Sequence, residues 1–126
     1  MNRAQELQLT RLRMGSFNNL DGHKVADDLA AHEGLWGAFV FGGFEYQPLI
    51  ELRDLPRGII NADTIYLLTS KDKLGGLLDL IQRWKADEVG WLTEDKREGI
   101  FANKSAFDLL GAFLGPEDVL VRVWWD

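Results

Sequence analysis

The sequence predicts an α+β domain, with an antiparallel or mixed sheet carrying its helices on one face. Two short apolar runs rich in β-branched and aromatic residues, Thr64 to Thr69 (TIYLLT) and Val119 to Trp125 (VLVRVWW), have the character of buried strands. Between them, Leu74, Leu77, Leu78, Ile81 and Trp84 recur at helical spacing. Gly115-Pro116 then supplies the punctuation that ends helices.

Taken in order, residues 1–14 place Leu7, Leu9, Leu12 and Met14 on neither a clean stripe nor a clean alternation, and a short helix is the expectation. Asn18, Asn19, Asp21 and Gly22 form a turn cluster. Lys24 to His32 reads as a helix with Val25, Ala26 and Leu29 on its apolar face, stopping at Gly34. Leu35 to Phe44 reads as a strand buried on both sides, with Phe39 and Phe41 on one face and Val40 on the other. Pro48 reduces Leu49 to Leu52 to an edge strand, and Asp54 to Gly58 is a loop around Pro56.

After the Thr64–Thr69 strand, Ser70 is placed to cap the helix of Leu74 to Trp84. Val89 to Thr93 is a strand that runs into the charged turn from Glu94 to Gly99, with Ile100 to Ala102 as its hairpin partner. Asn103 or Ser105 caps a helix whose apolar positions are Ala106, Phe107, Leu110, Phe113 and Leu114. The succession from Thr64 is strand, helix, strand, strand, helix, strand, the ferredoxin-like βαββαβ order of residues 64–126. Residues 1–63 extend the same core with a helix and one or two strands, so that residues 1–126 make one domain.

Composition supports a packed domain, since 46% of the 126 residues are apolar and five Trp and seven Phe can fill a core. The absence of cysteine excludes disulfides, thiol nucleophiles and thiolate metal sites, and fits a reducing compartment. The start, MNRAQELQLT, lacks the apolar stretch of a signal peptide, and no apolar run reaches the length of a membrane span. The expected setting is therefore cytoplasmic, away from membranes. Fourteen basic and twenty acidic residues give a formal net charge of -6. Residues 1–24 carry four basic and two acidic side chains, leaving ten basic and eighteen acidic for residues 25–126. Such a domain repels phosphate backbones, and Arg3, Arg11 and Arg13 are too sparse to reverse that, so no nucleic-acid partner is expected.

No motif names a reaction. His23, Asp27, Asp28, His32 and Glu33 look like a metal cluster, but the two histidines are nine residues apart and face opposite sides of a helix. What remains is two surface pairs, His23 with Asp27 and Asp28 with His32. No metal and no cofactor is expected. Serines 16, 70 and 105 sit in no nucleophile elbow.

Two segments stand out for binding. Gly34, Gly37, Gly42 and Gly43 interleave with Trp36, Phe39, Phe41 and Phe44, and glycine in a strand marks a bend or a close backbone approach. Thr69 to Gly76 passes from strand to helix, a place where anions bind, although its lysines precede its glycines, the reverse of a phosphate loop. Together they nominate a small-molecule or anion site of Gly42, Gly43, Ser70, Lys71, Lys73 and His32, as in a sensor or enzyme. The last strand is apolar on both faces apart from Arg122, as in a central strand covered on both sides or in a strand whose second face meets another subunit. The second reading nominates Leu120, Arg122, Trp124 and Trp125 as a subunit or partner contact. Catalytic residue types are scarce and aromatics plentiful. The leading expectation is therefore a non-catalytic binding domain that works through protein contacts, as a homodimer.

Overall fold

The computed structural model describes residues 1–42, 48–94, 97–98 and 114–126 of the chain. It begins with a helical hairpin. Asn2 caps α1 (Arg3–Arg13) by accepting a hydrogen bond from the Gln5 amide at 2.9 Å, and Arg11 and Arg13 sit favourably in the last turn. A tight ribbon of β1 (Ser16–Phe17) and β2 (Leu20–Asp21) turns through Asn18, whose φ of 50° asparagine tolerates better than most residues. Asp21 then caps α2 (Gly22–Ala31) through the Lys24 amide.

Glycine is obligatory where this ribbon crosses α1. A β-carbon on Gly22 would stand 2.0 Å from the Leu12 carbonyl oxygen and 2.5 Å from that of Gly15. One on Gly15 would meet the Phe41 ring at 2.7 Å. The two glycines are joined by a hydrogen bond from the Gly22 amide to the Gly15 carbonyl. Both helices can therefore approach closely enough to bury Leu12, Val25, Ala26 and Leu29 together.

The main sheet contains β3 (Ala38–Phe41), β4 (Thr64–Ser70), β5 (Glu88–Thr93), β6 (Arg97–Glu98) and β7 (Asp118–Trp124), in the order β3-β4-β7-β5-β6. Every neighbouring pair is antiparallel. Helix α4 (Leu74–Ile81) links β4 to β5, and β7 lies between those two strands, so this is a split βαβ unit. The described elements follow the expected succession as far as they go, but their arrangement across the sheet is not the ferredoxin-like one. There the hairpin partner of the second strand lies between the first and second strands; here β7 takes that place and β6 lies at the edge. β7 suits the centre because it is buried on both faces, with Val119, Val121 and Val123 on one side and Leu120 on the other.

α1, α2 and α4 cover one face of the sheet. Leu12, Val25, Leu29, Leu77 and Ile81 pack there with Phe39, Phe41, Ile65, Leu67, Val121 and Val123 in one core. Indole groups fasten its periphery: Trp36 donates to the Leu29 carbonyl, Trp84 to the Asp28 carboxylate, and Trp125 to the Trp84 carbonyl, each within 3.0 Å. Asp28, with little exposure, is further held by Arg83 at 3.3 Å. A buried carboxylate is tolerated only with such partners.

Several local expectations are corrected. The strand expected over residues 35–44 is shorter: residues Glu33–Leu35 form a 3-10 turn, and the strand ends at Gly42, whose φ of +122° suits glycine alone. Val40 is 44% exposed, so that strand is buried on one face only. The proposed edge strand at Leu49–Leu52 is instead α3 (Pro48–Asp54), with Pro48 at the first helical position, where its missing N–H costs nothing. Ser70 does not cap α4; Lys73 occupies the N-cap position, with no side-chain cap bond. The hairpin partner of β5 comes earlier than expected, at Arg97–Glu98. The expected pairing of residues 100–102 and helix of residues 103–113 lie outside the described residues, as do Gly43 and Phe44.

The glycines give a paired test. Gly22→Ala should destabilise the protein by about 3 kcal/mol, because the clash is with backbone that cannot yield without moving α1. Gly75→Ala, whose β-carbon would meet nothing within 4 Å, should stabilise it by roughly 0.5–1 kcal/mol by helix propensity. Urea unfolding of the two variants beside the parent checks both signs.

Candidate functional site

Of the residues nominated for ligand binding, Gly42 and Ser70 lie at opposite ends of one strand. β3 runs antiparallel to β4, so Gly42 lies beside Thr64, whose carbonyl accepts its N–H at 2.9 Å. Ser70 is the far end of the same seven-residue strand. At ~3.3 Å per residue the two positions are about 20 Å apart. Gly42 is there for its backbone conformation, and its partner Gly43 lies outside the described residues.

The other four sit towards one end of the sheet. The Thr69 hydroxyl donates to the Leu35 carbonyl at 2.7 Å, and a β-carbon on Gly76 would touch Leu35, so the turn that follows His32 packs against the start of α4. His32 itself turns inward to its own helix. Its Nδ1 lies 2.8 Å from the Asp28 carbonyl, which can only accept, so the ring donates from that nitrogen.

Between β4 and α4 the chain makes a tight turn, with the Lys73 amide bonded to the Ser70 carbonyl and the Lys71 amide to that of Glu117. The Ser70 hydroxyl donates to Asp72 at 2.5 Å, and this bond holds the Asp72 carboxyl below its ordinary pKa. Lys71 and Lys73 are exposed. The arrangement therefore presents two ammonium groups and one firmly ionised carboxylate at a helix start, a mixed field with no single anion seat.

The two histidine–carboxylate pairs separate as well. Arg13 gathers the exposed one, donating to Asp27 and lying 3.2 Å from His23 Nδ1; its hydrogen bond lowers the Asp27 pKa. The Asp28 carboxylate does not meet His32 but turns into the core towards Trp84 and Arg83. No group of three His, Asp or Glu side chains that could hold a metal exists among the described residues. No helix there is long and apolar enough to cross a membrane.

The contact surface nominated on the last strand changes composition. Trp125 belongs to the core and is fully buried. Leu120 is also buried, on the outer face, where it packs with Leu92, Tyr66 and Leu114. Arg122 and Trp124 are half-buried, the guanidinium 5.9 Å from the indole ring centroid, and the indole N–H reaches Asp63 at 3.2 Å. These two share the outer face with Val40, Tyr66 and Leu68, because Tyr66 lies opposite Arg122 and Val40 opposite Tyr66. Exposure rises across this face, from 0% at Leu92 on β5 and 6% at Leu120 on β7 to 37% at Leu68 and 44% at Val40. The alternation of Val40 between Phe39 and Phe41 was the available signal for that surface; Leu68, within the run TIYLLT, carried none.

Asp54, at the end of α3, is the other buried carboxylate of note. Arg53 grips both its oxygens at 3.0 Å, Arg57 approaches to 3.8 Å, and Asn61 adds a hydrogen bond. The Arg53 hydrogen bonds, ahead of the others, hold the Asp54 carboxyl below its ordinary pKa. This is a structural clamp, fixing the turn that leads through Gly58 to β4. No known protein family, functionally characterised protein or solved structure matches this chain.

A depressed carboxylate stabilises the fold above its unfolded-state pKa and loses that contribution as pH falls through the lower, folded value. Asp54→Asn should therefore be less stable than the parent at pH 7. The difference should shrink below about pH 4, the ordinary aspartate range. Thermal melts of both proteins from pH 7 to pH 3 would show the two curves converging; parallel curves would remove Asp54 from the acid response.

Proposed function

We propose that this chain is a non-catalytic binding domain that works through protein contacts and pairs with a second copy of itself across the outer face of its sheet. The supporting observation is the gradient of exposure on that face. Apolar side chains cover it from β5 to β3, and its β3–β4 half stands open to solvent at Val40 and Leu68. Scattered apolar residues are ordinary on protein surfaces. These two lie diagonally on adjacent strands, with Tyr66 opposite Val40 and Arg122, beside Trp124, opposite Tyr66. Arginine beside tryptophan is the composition of interface centres.

Size sets the extent of the contact. A stable pair buries about 800 Å² on each protomer, so the surface must reach from Val40 across the sheet to Trp124. The rival reading, one ligand pocket uniting Gly42 with the turn at Ser70, draws no support from a separation spanning the full length of β4.

Light scattering on the purified protein should return twice the chain mass of 14.3 kDa at ~100 μM. Leu68→Glu should return the monomer, weakening self-association at least about tenfold by placing a charge in the interface. Its melting temperature should fall little, since Leu68 is exposed. A monomeric parent at that concentration would sink the homodimer reading.

A further inference from the structure

The free edge of β3 is closed by side chains. An edge strand presents every second residue's N–H and C=O away from the sheet, and in β3 those residues are Phe39 and Phe41, since Gly42 bonds inward to β4. α1 lies along this edge and answers it. The Gln5 side chain pairs with Phe39 twice, its amide nitrogen donating to the carbonyl at 2.8 Å and its oxygen accepting from the N–H at 3.0 Å. Gln8, one turn further on, accepts from the Phe41 N–H at 3.1 Å. Three of the four edge-facing groups of these two residues are thus held by two glutamines, which imitate a neighbouring strand.

The apolar anchoring of α1 lies in its second half, where Leu9 packs partly against the core. Leu12, in the last turn, is its only fully buried residue, and Leu7 is 59% exposed. The glutamines therefore do more than decorate a packed helix. We propose that Gln5 and Gln8 guard the β3 edge, and that the edge they close pairs antiparallel with β3 of a second copy when they are removed. The edge is self-complementary. A two-fold axis through Val40 sets Phe39 opposite Phe41 of the other copy, and the reverse, both as hydrogen-bonded pairs that exchange N–H and C=O. Val40 then meets its own counterpart, burying a side chain that is otherwise exposed. AFVF carries no charge and no proline to oppose this.

The guard prevails in the parent because its bonds are intramolecular and independent of concentration, whereas edge pairing carries the entropic cost of association. This contact is distinct from the outer-face dimer, and the test separates them. In the Leu68→Glu background, which weakens the outer-face contact, Gln5→Ala/Gln8→Ala should self-associate at least about tenfold more tightly than Leu68→Glu alone, read by sedimentation. Amide exchange at Phe39 and Phe41 should be faster than in the parent at low concentration, and slow again as concentration rises. Outer-face association leaves those two amides unaffected by concentration, so failure of one reading does not imitate failure of the other. A folded double variant that stays monomeric, or that associates without protecting the two amides, overturns the guard. If the double variant does not fold, Gln8→Ala alone must show concentration-dependent protection of the Phe41 amide. Its absence there overturns the proposal equally.

Discussion

The architecture depends on one strand with two neighbours. β7 is hydrogen-bonded to β4 over seven residue pairs and to β5 over six, and it lies between those two strands in the sheet. Because β4 and β5 run the same way with β7 reversed between them, α4 can lie over the sheet while every ladder remains antiparallel. The valines of β7 form the floor on which α1, α2 and α4 settle. The β4–β7 pairing joins residues that lie far apart in sequence, from Ser70 with Asp118 to Thr64 with Trp124, which places the entropic cost of the fold in closing long loops.

Around that floor, specificity is carried by hydrogen bonds from large apolar side chains. Indoles are bulky enough to fill the gaps between helices and sheet, yet each carries one donor that must be answered. Trp36, Trp84 and Trp125 each find a different acceptor at the margin of the core, and Trp84 and Trp125 are linked in series to Asp28 of α2. A net gain of about 1 kcal/mol for each such bond is small beside burial of the ring, but an unanswered donor would cost more. Direction is thereby imposed on packing that hydrophobicity alone leaves free.

Local features of the chain were legible because their causes are local. The periodicity of Val25, Ala26 and Leu29, the run TIYLLT and the alternation of Val119, Val121 and Val123 each report which face of an element is buried. Pro48 misled because proline ends a strand and begins a helix equally well. The order of strands was beyond reach, since it rests on which distant edges pair and the spacing of apolar residues is silent on that. For the same reason Gly42 and Ser70 could be nominated for one site, while the antiparallel register sends them apart. Trp125 could be assigned to the core or to an interface, because both ask for the same side chain. Gln5 and Gln8 look like the solvated side of a helix, and only the position of β3 gives them a role.

The placement of β7 also has a mechanical meaning. Hydrogen bonds of an antiparallel ladder lie across the strand direction, so a force drawn along β7 loads both of its ladders in shear, all at once. β3 and β6, each paired on one side within the sheet, can instead be peeled away one bond at a time. Under tension the molecule would yield from its edges inward, with the middle of the sheet as the last part to let go.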